Sequence, residues 1–353
     1  MTDKQLLNDA VGLLSRLIAT PSTSRQENDA ADLMEVHMKE LGLCPKRHAN
    51  NVWAVCPDYD EHRPTLLLNA HIDTVKPSKS WTKDPFTPTL EDGKLYGLGA
   101  NDCGGGLVSL LESYCVAAKM ERNFNVIYLA SAEEEVSGDG GVAAVLPLLP
   151  KIDAAIVGEP TGMQPAIAEK GLMVVELTMH GKSGHAARQE GVNAIYGVLK
   201  DLEWISQYKF ERISPLLGPT IMNATMINAG TQHNVVPDTC NIVVDVRVNE
   251  RYTLQEVFDI IRRHVKSEAR ARSMRLAPSH MEPTHPLVAT CVEMGMTPYG
   301  SPTLSDQALM PFPSIKLGPG DSARSHTADE YVGIDEIGHA IQTYVSLFKK
   351  LRL

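Results

Sequence analysis

Residues 65–73 read T-L-L-L-N-A-H-I-D, an apolar run from Thr65 to Asn69 that leads straight into His71 and Asp73. A strand with one wet face alternates apolar and polar side chains. An uninterrupted run is what a strand buried on both faces requires. Two further runs of this kind follow, Asn125 to Ala130 and Ala154 to Val157, and Val52 to Cys56 adds a short strand. Helical patterns lie between and before them. Gly104 to Lys119 reads as a helix, and Ser24-x-x-Glu27 predicts a capping box that opens a helix stopping near Gly42. Leu6, Leu7, Ala10, Leu14 and Leu17 give the N-terminal segment one apolar side. Strands separated by helices predict an α/β fold with a mostly parallel sheet flanked by helices.

From about Gly171 to Pro278 the pattern changes. In Asn241 to Val248, Ile242, Val244, Val246 and Val248 share one face while Asn241, Asp245 and Arg247 share the other. Such alternation suits an antiparallel sheet buried on one side. Helices are expected over Val192 to Gln207 and after the capping box Thr253-x-x-Glu256. The expected organisation is a first domain over 1–170 that resumes over 281–353, interrupted at 171–280 by an inserted α+β domain of about four strands and two helices. A chain of 353 residues is long enough for two cores.

The formal charge is 33 − 43 = −10, which disfavours nucleic acid and anionic membrane as partners. No apolar run approaches the roughly 18 residues of a membrane span, and the first residues lack the layout of a signal peptide. The six cysteines (44, 56, 103, 115, 240, 291) contain no C-x-x-C spacing and read as reduced thiols, implying a cytoplasmic location.

The chemistry sits at the strand ends. His71 follows T-L-L-L-N, Glu135 follows N-V-I-Y-L-A and Glu159 follows A-A-I-V. Open α/β sheets build their sites in the crevice beyond the carboxyl ends of their strands. Asp102, in G-L-G-A-N-D, and His326, in A-R-S-H-T-A-D-E, complete a set of two imidazoles and three carboxylates. That set suits two Zn²⁺ ions sharing one bridging carboxylate, with Co²⁺ as a possible substitute. Asp102 is the expected bridge; the glycines around it miss both phosphate-binding fingerprints. Glu133, Glu134 and Glu135 would repel one another without a cation nearby. If they continue the strand, neighbours point in opposite directions, so Glu135 ligates while Glu134 faces water as the general base. Asp73, on the same side of an extended segment as His71, is expected to hold the second nitrogen of His71 or to approach the metal-binding groups by a less direct contact.

Together the five motifs resemble those of the co-catalytic zinc amidohydrolase and peptidase family of acetylornithine deacetylase, succinyl-diaminopimelate desuccinylase, aminoacylase and glutamate carboxypeptidase. The resemblance spans the whole chain and lies closest to acetylornithine deacetylase. It implies a catalytic domain with an inserted lid that commonly forms a homodimer. It also implies His71 and Glu159 on different metals, Asp102 bridging, Glu135 and His326 completing the two sites, and Glu134 as base. His185 in Gly184-His185-Ala186 matches the family's carbonyl-polarising histidine, and Asn234 and Arg247 match its substrate-binding pair. Two positions depart from the family's pattern: Leu98 stands for the usual arginine and Gly104 for the usual lysine. Arg324, two residues before His326, is a candidate for a second substrate carboxylate. The implied reaction is hydrolysis of a small-molecule N-acyl amino acid in arginine or lysine biosynthesis. Desuccinylation, di- or tripeptide cleavage and a non-catalytic binding role are the rival readings.

Overall fold

The computed structural model describes residues 2–188 and 190–353. The chain divides into two compact units. The larger runs from the N-terminus to Ile167 and returns over His280–Tyr299 and Ser305–Leu353; the smaller comprises Ala168–Ser279 and Gly300–Leu304. The short return at Gly300–Leu304 has no counterpart in the sequence-based division.

At the centre of the larger unit, strand Thr65–His71 lies between Asn125–Ser131 and Ala154–Val157, parallel to both. Ser314–Lys316 extends the parallel set beyond Ala154–Val157. Asn51–Val55 runs antiparallel on the far side of Asn125–Ser131, and Lys46–His48 pairs antiparallel with it in turn. The sheet is therefore mixed rather than mostly parallel. Short strands joined by tight turns can only pair antiparallel, and parallel pairing needs a crossover.

Both faces of the central strand are covered, as its unbroken apolar run requires. Leu67 packs with Trp53, Ile127, Leu129, Ala155, Val142 and Val145 on one side. Leu66 and Leu68 point to the other side and are fully buried. There helix Gly105–Ala117 packs on the sheet, and Tyr128 Oη donates to Leu107 O. Each leucine buried in this way contributes about 1.5–3 kcal/mol. The helix approaches the sheet so closely that a Cβ on Gly106 would lie 1.7 Å from the Gly158 carbonyl oxygen, so glycine is obligatory there. That contact sets the height of the chain just before Glu159.

The capping box expected at Ser24 and Glu27 does not form. Helix Asn28–Glu40 begins without a side-chain cap. Ser24 Oγ donates instead to Asp73 Oδ2 at 2.7 Å. Buried Glu27 accepts from the Arg25 and Glu133 backbone N–H groups and from Asn50 Nδ2. Tertiary partners outcompete the local cap.

The smaller unit is an antiparallel sheet in the order Ile221–Ala229, Thr239–Val248, Gly171–His180, Glu268–Ala271, with helices Ala194–Gln207 and Leu254–His264. Cys240, Ile242, Val244, Val246 and Val248 face a core with Val198, Ile205, Val257 and Ile261. The Thr253–Glu256 capping box is complete.

Candidate metal centre

In the larger unit, the parallel strands end together. His71 is level with Ser131, and Asn69 with Val157. The segments that follow bring His71, Glu134, Glu135 and Glu159 to one edge. Asp102 is delivered by a separate loop that starts at Gly99, where φ is +74°. Buried Glu330 holds that loop by accepting the Asn101 and Asp102 backbone N–H groups at 2.8 and 2.9 Å. His326 comes from the segment after the short helix Ser322–Arg324.

The arrangement centres on Asp102. Its Oδ1 lies 3.2 Å from His71 Nε2, and its Oδ2 lies 3.5 Å from His326 Nε2. Glu159 Oε1 stands 3.7 Å from His71 Nε2, and Glu135 Oε2 stands 2.9 Å from His326 Nε2. His71 and Glu159 thus share one side of Asp102, whereas the family resemblance had implied opposite sides. His326 and Glu135 share the other.

These residues fit a pair of cations. Two ligand atoms each about 2.0–2.1 Å from a tetrahedral ion lie about 3.3 Å apart. Glu159 Oε1 is buried without a hydrogen-bond partner, which is costly unless something cationic meets it. Crowding of like charges in a buried place has the expected electrostatic effect. Burial, then neighbouring Asp102, pushes Glu159 up to about 8. Burial also raises Glu134 well above the carboxylate range, against the pull of His71. The hydrogen bond to Glu135 raises His326 to about 9.

The three adjacent glutamates separate by a different route from the one expected. Glu133 is left-handed at φ +55° and Glu134–Val136 form a 3₁₀ turn, so the alternation of an extended strand does not apply. Glu133 turns away to Arg25 and the Gly140 N–H. Glu134 Oε2 lies 4.0 Å from His71 Nε2, and Glu135 reaches His326. Asp73 orients this turn: its Oδ1 accepts the Glu134 N–H at 3.0 Å and its Oδ2 the Glu135 N–H at 3.2 Å. His71 Nδ1 is held by the Asp73 carbonyl oxygen at 2.8 Å, with the carboxylate at 3.6 Å. The partner residue is as expected, but the nearer atom belongs to its backbone. Nδ1–H is thereby fixed as donor and Nε2 is left as a lone-pair donor to a metal.

Several contributors were not read as site residues from sequence: Glu27, Asn101, Cys103, Asp306 and Glu330. Glu330 closes the H-T-A-D-E motif, and its place directly before Tyr331 and Val332 was the available signal. Asp306 accepts from Asn69 Nδ2 at 2.8 Å and Ser131 Oγ at 2.7 Å, tying two strand ends together. Cys103 Sγ accepts the His71 N–H at 3.1 Å. It groups with His71 and Glu159, but burial pushes its thiol far above the usual range, so it remains a neutral neighbour.

A sequence profile of Peptidase family M20/M25/M40 matches residues 67–350. The chain belongs to this family. It shares 29% identity with the acetylornithine deacetylase of Edwardsiella ictaluri, over 93% of this chain and 94% of that protein. Its fold is similar to the aminopeptidase PepT of Bacillus cereus, with TM-score 0.79, 18% identity and 99% coverage of both chains. It is likewise similar to a dinuclear metal binding M20 peptidase from Bacillus subtilis, with TM-score 0.75, 16% identity, 99% of this chain and 100% of that one. As an M20 member the chain is a hydrolase of a metal-dependent family, with the α/β fold and inserted α+β domain read from its sequence. No helix among the described residues is long and apolar enough to cross a membrane.

The remaining candidates divide between the units. In the smaller one, exposed His185 pairs with Val235, and the Ala186 N–H donates to Asn234 O at 3.0 Å, so His185 and Asn234 are neighbours. Arg247 lies on Thr239–Val248, where Nε and Nη2 meet the Asp245 carboxylate at 2.8 and 3.1 Å. Arg324, in the larger unit, is engaged differently from the expectation. Both Nη atoms bind Glu336, at 2.7 and 3.1 Å, so its fork is already filled by a carboxylate of this chain.

Proposed function

We propose that this M20 member is a dizinc N-acyl-amino-acid amidohydrolase, closest in chemistry to acetylornithine deacetylase, acting in the cytoplasm in arginine or lysine biosynthesis. The observation that carries the reading is Asp102, whose two oxygens face two separate His–Glu pairs with Glu134 alongside. His71, Glu159 and Asp102 would hold one ion; His326, Glu135 and Asp102 would hold the other. Bound there, the ions would polarise the scissile carbonyl and lower the pKa of water toward about 7.

Glu134 accepts the proton of the attacking water and returns it to the leaving amine. Its burial raises its affinity for a proton, which suits a group that must carry one between the two steps. Asp73 keeps Glu134 and Glu135 in register through their backbone N–H groups. His185 donates to the developing oxyanion. Arg247 receives the substrate α-carboxylate together with Asn234. The partner is a second copy of the chain, joined through the smaller unit. Ile221–Ala229 is an edge strand with Ile221, Met226 and Ile227 exposed, beside exposed Tyr196 and Leu199. An unpaired apolar edge of this kind favours pairing with another chain.

Glu134→Gln should lower kcat by roughly 10²–10⁴-fold while both ions remain bound. Loss of an ion instead would make Glu134 a ligand. A substrate panel of N-acetyl and N-succinyl ornithine, citrulline, lysine and diaminopimelate, with a tripeptide added, tests the specificity. Fastest turnover of the tripeptide would replace the deacylase reading. Fewer than one tightly bound ion per chain, without rescue by Zn²⁺ or Co²⁺, would end the enzyme reading.

A further inference from the structure

We propose that Arg324 is a positioning residue for His326, acting through Glu336 and Tyr331 to fix the backbone that presents the imidazole. The proposal rests on the metal-centre reading above. His326 is the weakly supported member of the set: its side chain is 54% exposed and its φ is +60°. A non-glycine residue in the left-handed region persists only where the surroundings over-determine it.

The structure supplies that constraint from outside the ligand set. Arg324 closes the helical turn Ser322–Arg324, capped by Asp321, whose Oδ1 accepts the Ala323 N–H. Its carbonyl accepts Thr327 Oγ1 at 2.8 Å, so the chain on both sides of His326 is attached to Arg324. The guanidinium meets Glu336 with two hydrogen bonds. It also lies 4.5 Å over the Tyr331 ring, which carries Lys94 Nζ at 4.4 Å as well. Glu336 is itself anchored. It accepts the Gly333 N–H at 2.7 Å in the first turn of helix Ile334–Lys350, whose Ile337, Ala340, Ile341 and Tyr344 are buried. A planar fork on a carboxylate fixes both distance and orientation. The exposed His326 segment is thereby fastened to a core helix. A substrate carboxylate would have to displace Glu336 from a contact anchored on a core helix, so these bonds favour positioning over the substrate-gripping role considered from sequence.

The test uses the full-length chain stripped of metal and titrated with zinc against a chromophoric chelator. Wild type should take up two ions. Arg324→Ala and Glu336→Gln should leave the tighter ion unchanged and weaken the second roughly 10–100-fold, the usual effect of removing a group that orients a ligand. Arg324→Lys, which keeps the charge but loses the fork, should fall between. The double variant R324A/E336Q should be no weaker than either single variant, because the two residues act as one unit. At saturating zinc, kcat should recover and KM should match wild type.

Two wild-type-like ion affinities in R324A would overturn the proposal, as would a raised KM at saturating zinc. If R324A does not fold, E336Q provides the same comparison with an isosteric side chain. A wild type that binds no ions would bring down the metal-centre reading itself, a different failure from two ions bound equally well by wild type and variants.

Discussion

The two halves of the candidate metal centre are built in contrasting ways. His71 ends a fully buried central strand, is itself 2% exposed, and has its ring fixed by the Asp73 carbonyl. His326 sits on a left-handed residue of a non-repetitive segment, with over half its side chain in solvent. Glu159 is held at a height set by a glycine–backbone contact, whereas Glu135 is oriented by backbone bonds to Asp73. One half is part of the core; the other is fastened to it. The difference teaches that a shared bridge does not imply shared rigidity.

The comparison breaks most visibly at the bridge. Asp102→Ala should weaken both ions and reduce turnover by at least about 10³-fold, the product of lost electrostatic stabilisation and lost positioning. Loss of a single ion with turnover within tenfold would mean that Asp102 serves only one half.

Next in size is the contrast between His71→Ala and His326→Ala. Each should cost one ion. Only the first should also destabilise the metal-free fold, by about 1–3 kcal/mol, because it leaves buried polar groups unpaired. The second removes a mostly exposed side chain and should stay within about 0.5 kcal/mol. Equal shifts in thermal midpoint for the two metal-free variants would erase the distinction between core and attachment.

The smallest effect is a pH dependence. In the metal-free protein His326 is raised to about 9 by Glu135, against an ordinary value of about 6.5. The stabilisation from that pair is fully present below about 6.5 and is lost as pH rises through about 9. A cation at this half must displace the proton, so zinc affinity there should rise with pH and level off near 9. Calorimetry at pH 7.5 in buffers of different ionisation enthalpy should register proton release. No release at that pH would mean that His326 is already neutral.

Much of the centre was legible because strand burial and ligand position are linked locally. An apolar run followed within a few residues by His or Glu places that residue at or beyond the carboxyl end of a strand, and His71, Glu135 and Glu159 all obey this rule. The pairing of the ligands was not legible: His71 with Glu159 depends on the spatial order of strands, in which Ala154–Val157 adjoins Thr65–His71. The local conformation of Glu133–Val136 was misread for a related reason. The turn is imposed by Asp73 and Glu27, residues far away in sequence. The failed cap at Ser24 has the same origin, since the Ser24 hydroxyl is aimed at Asp73 and the Glu27 carboxylate is taken up by Arg25, Asn50 and Glu133.

The sequence alone therefore determined the α/β plan of a sheet flanked by helices, the antiparallel insertion and the inventory of candidate metal-binding groups. Hydrophobic periodicity and residue chemistry are properties of a chain read a few positions at a time. Only the tertiary structure decided which histidine partners which carboxylate and that Arg324 binds Glu336. Those outcomes depend on competition among partners brought together by folding. A charged side chain takes the best-aligned counterpart within reach, and sequence distance does not measure reach.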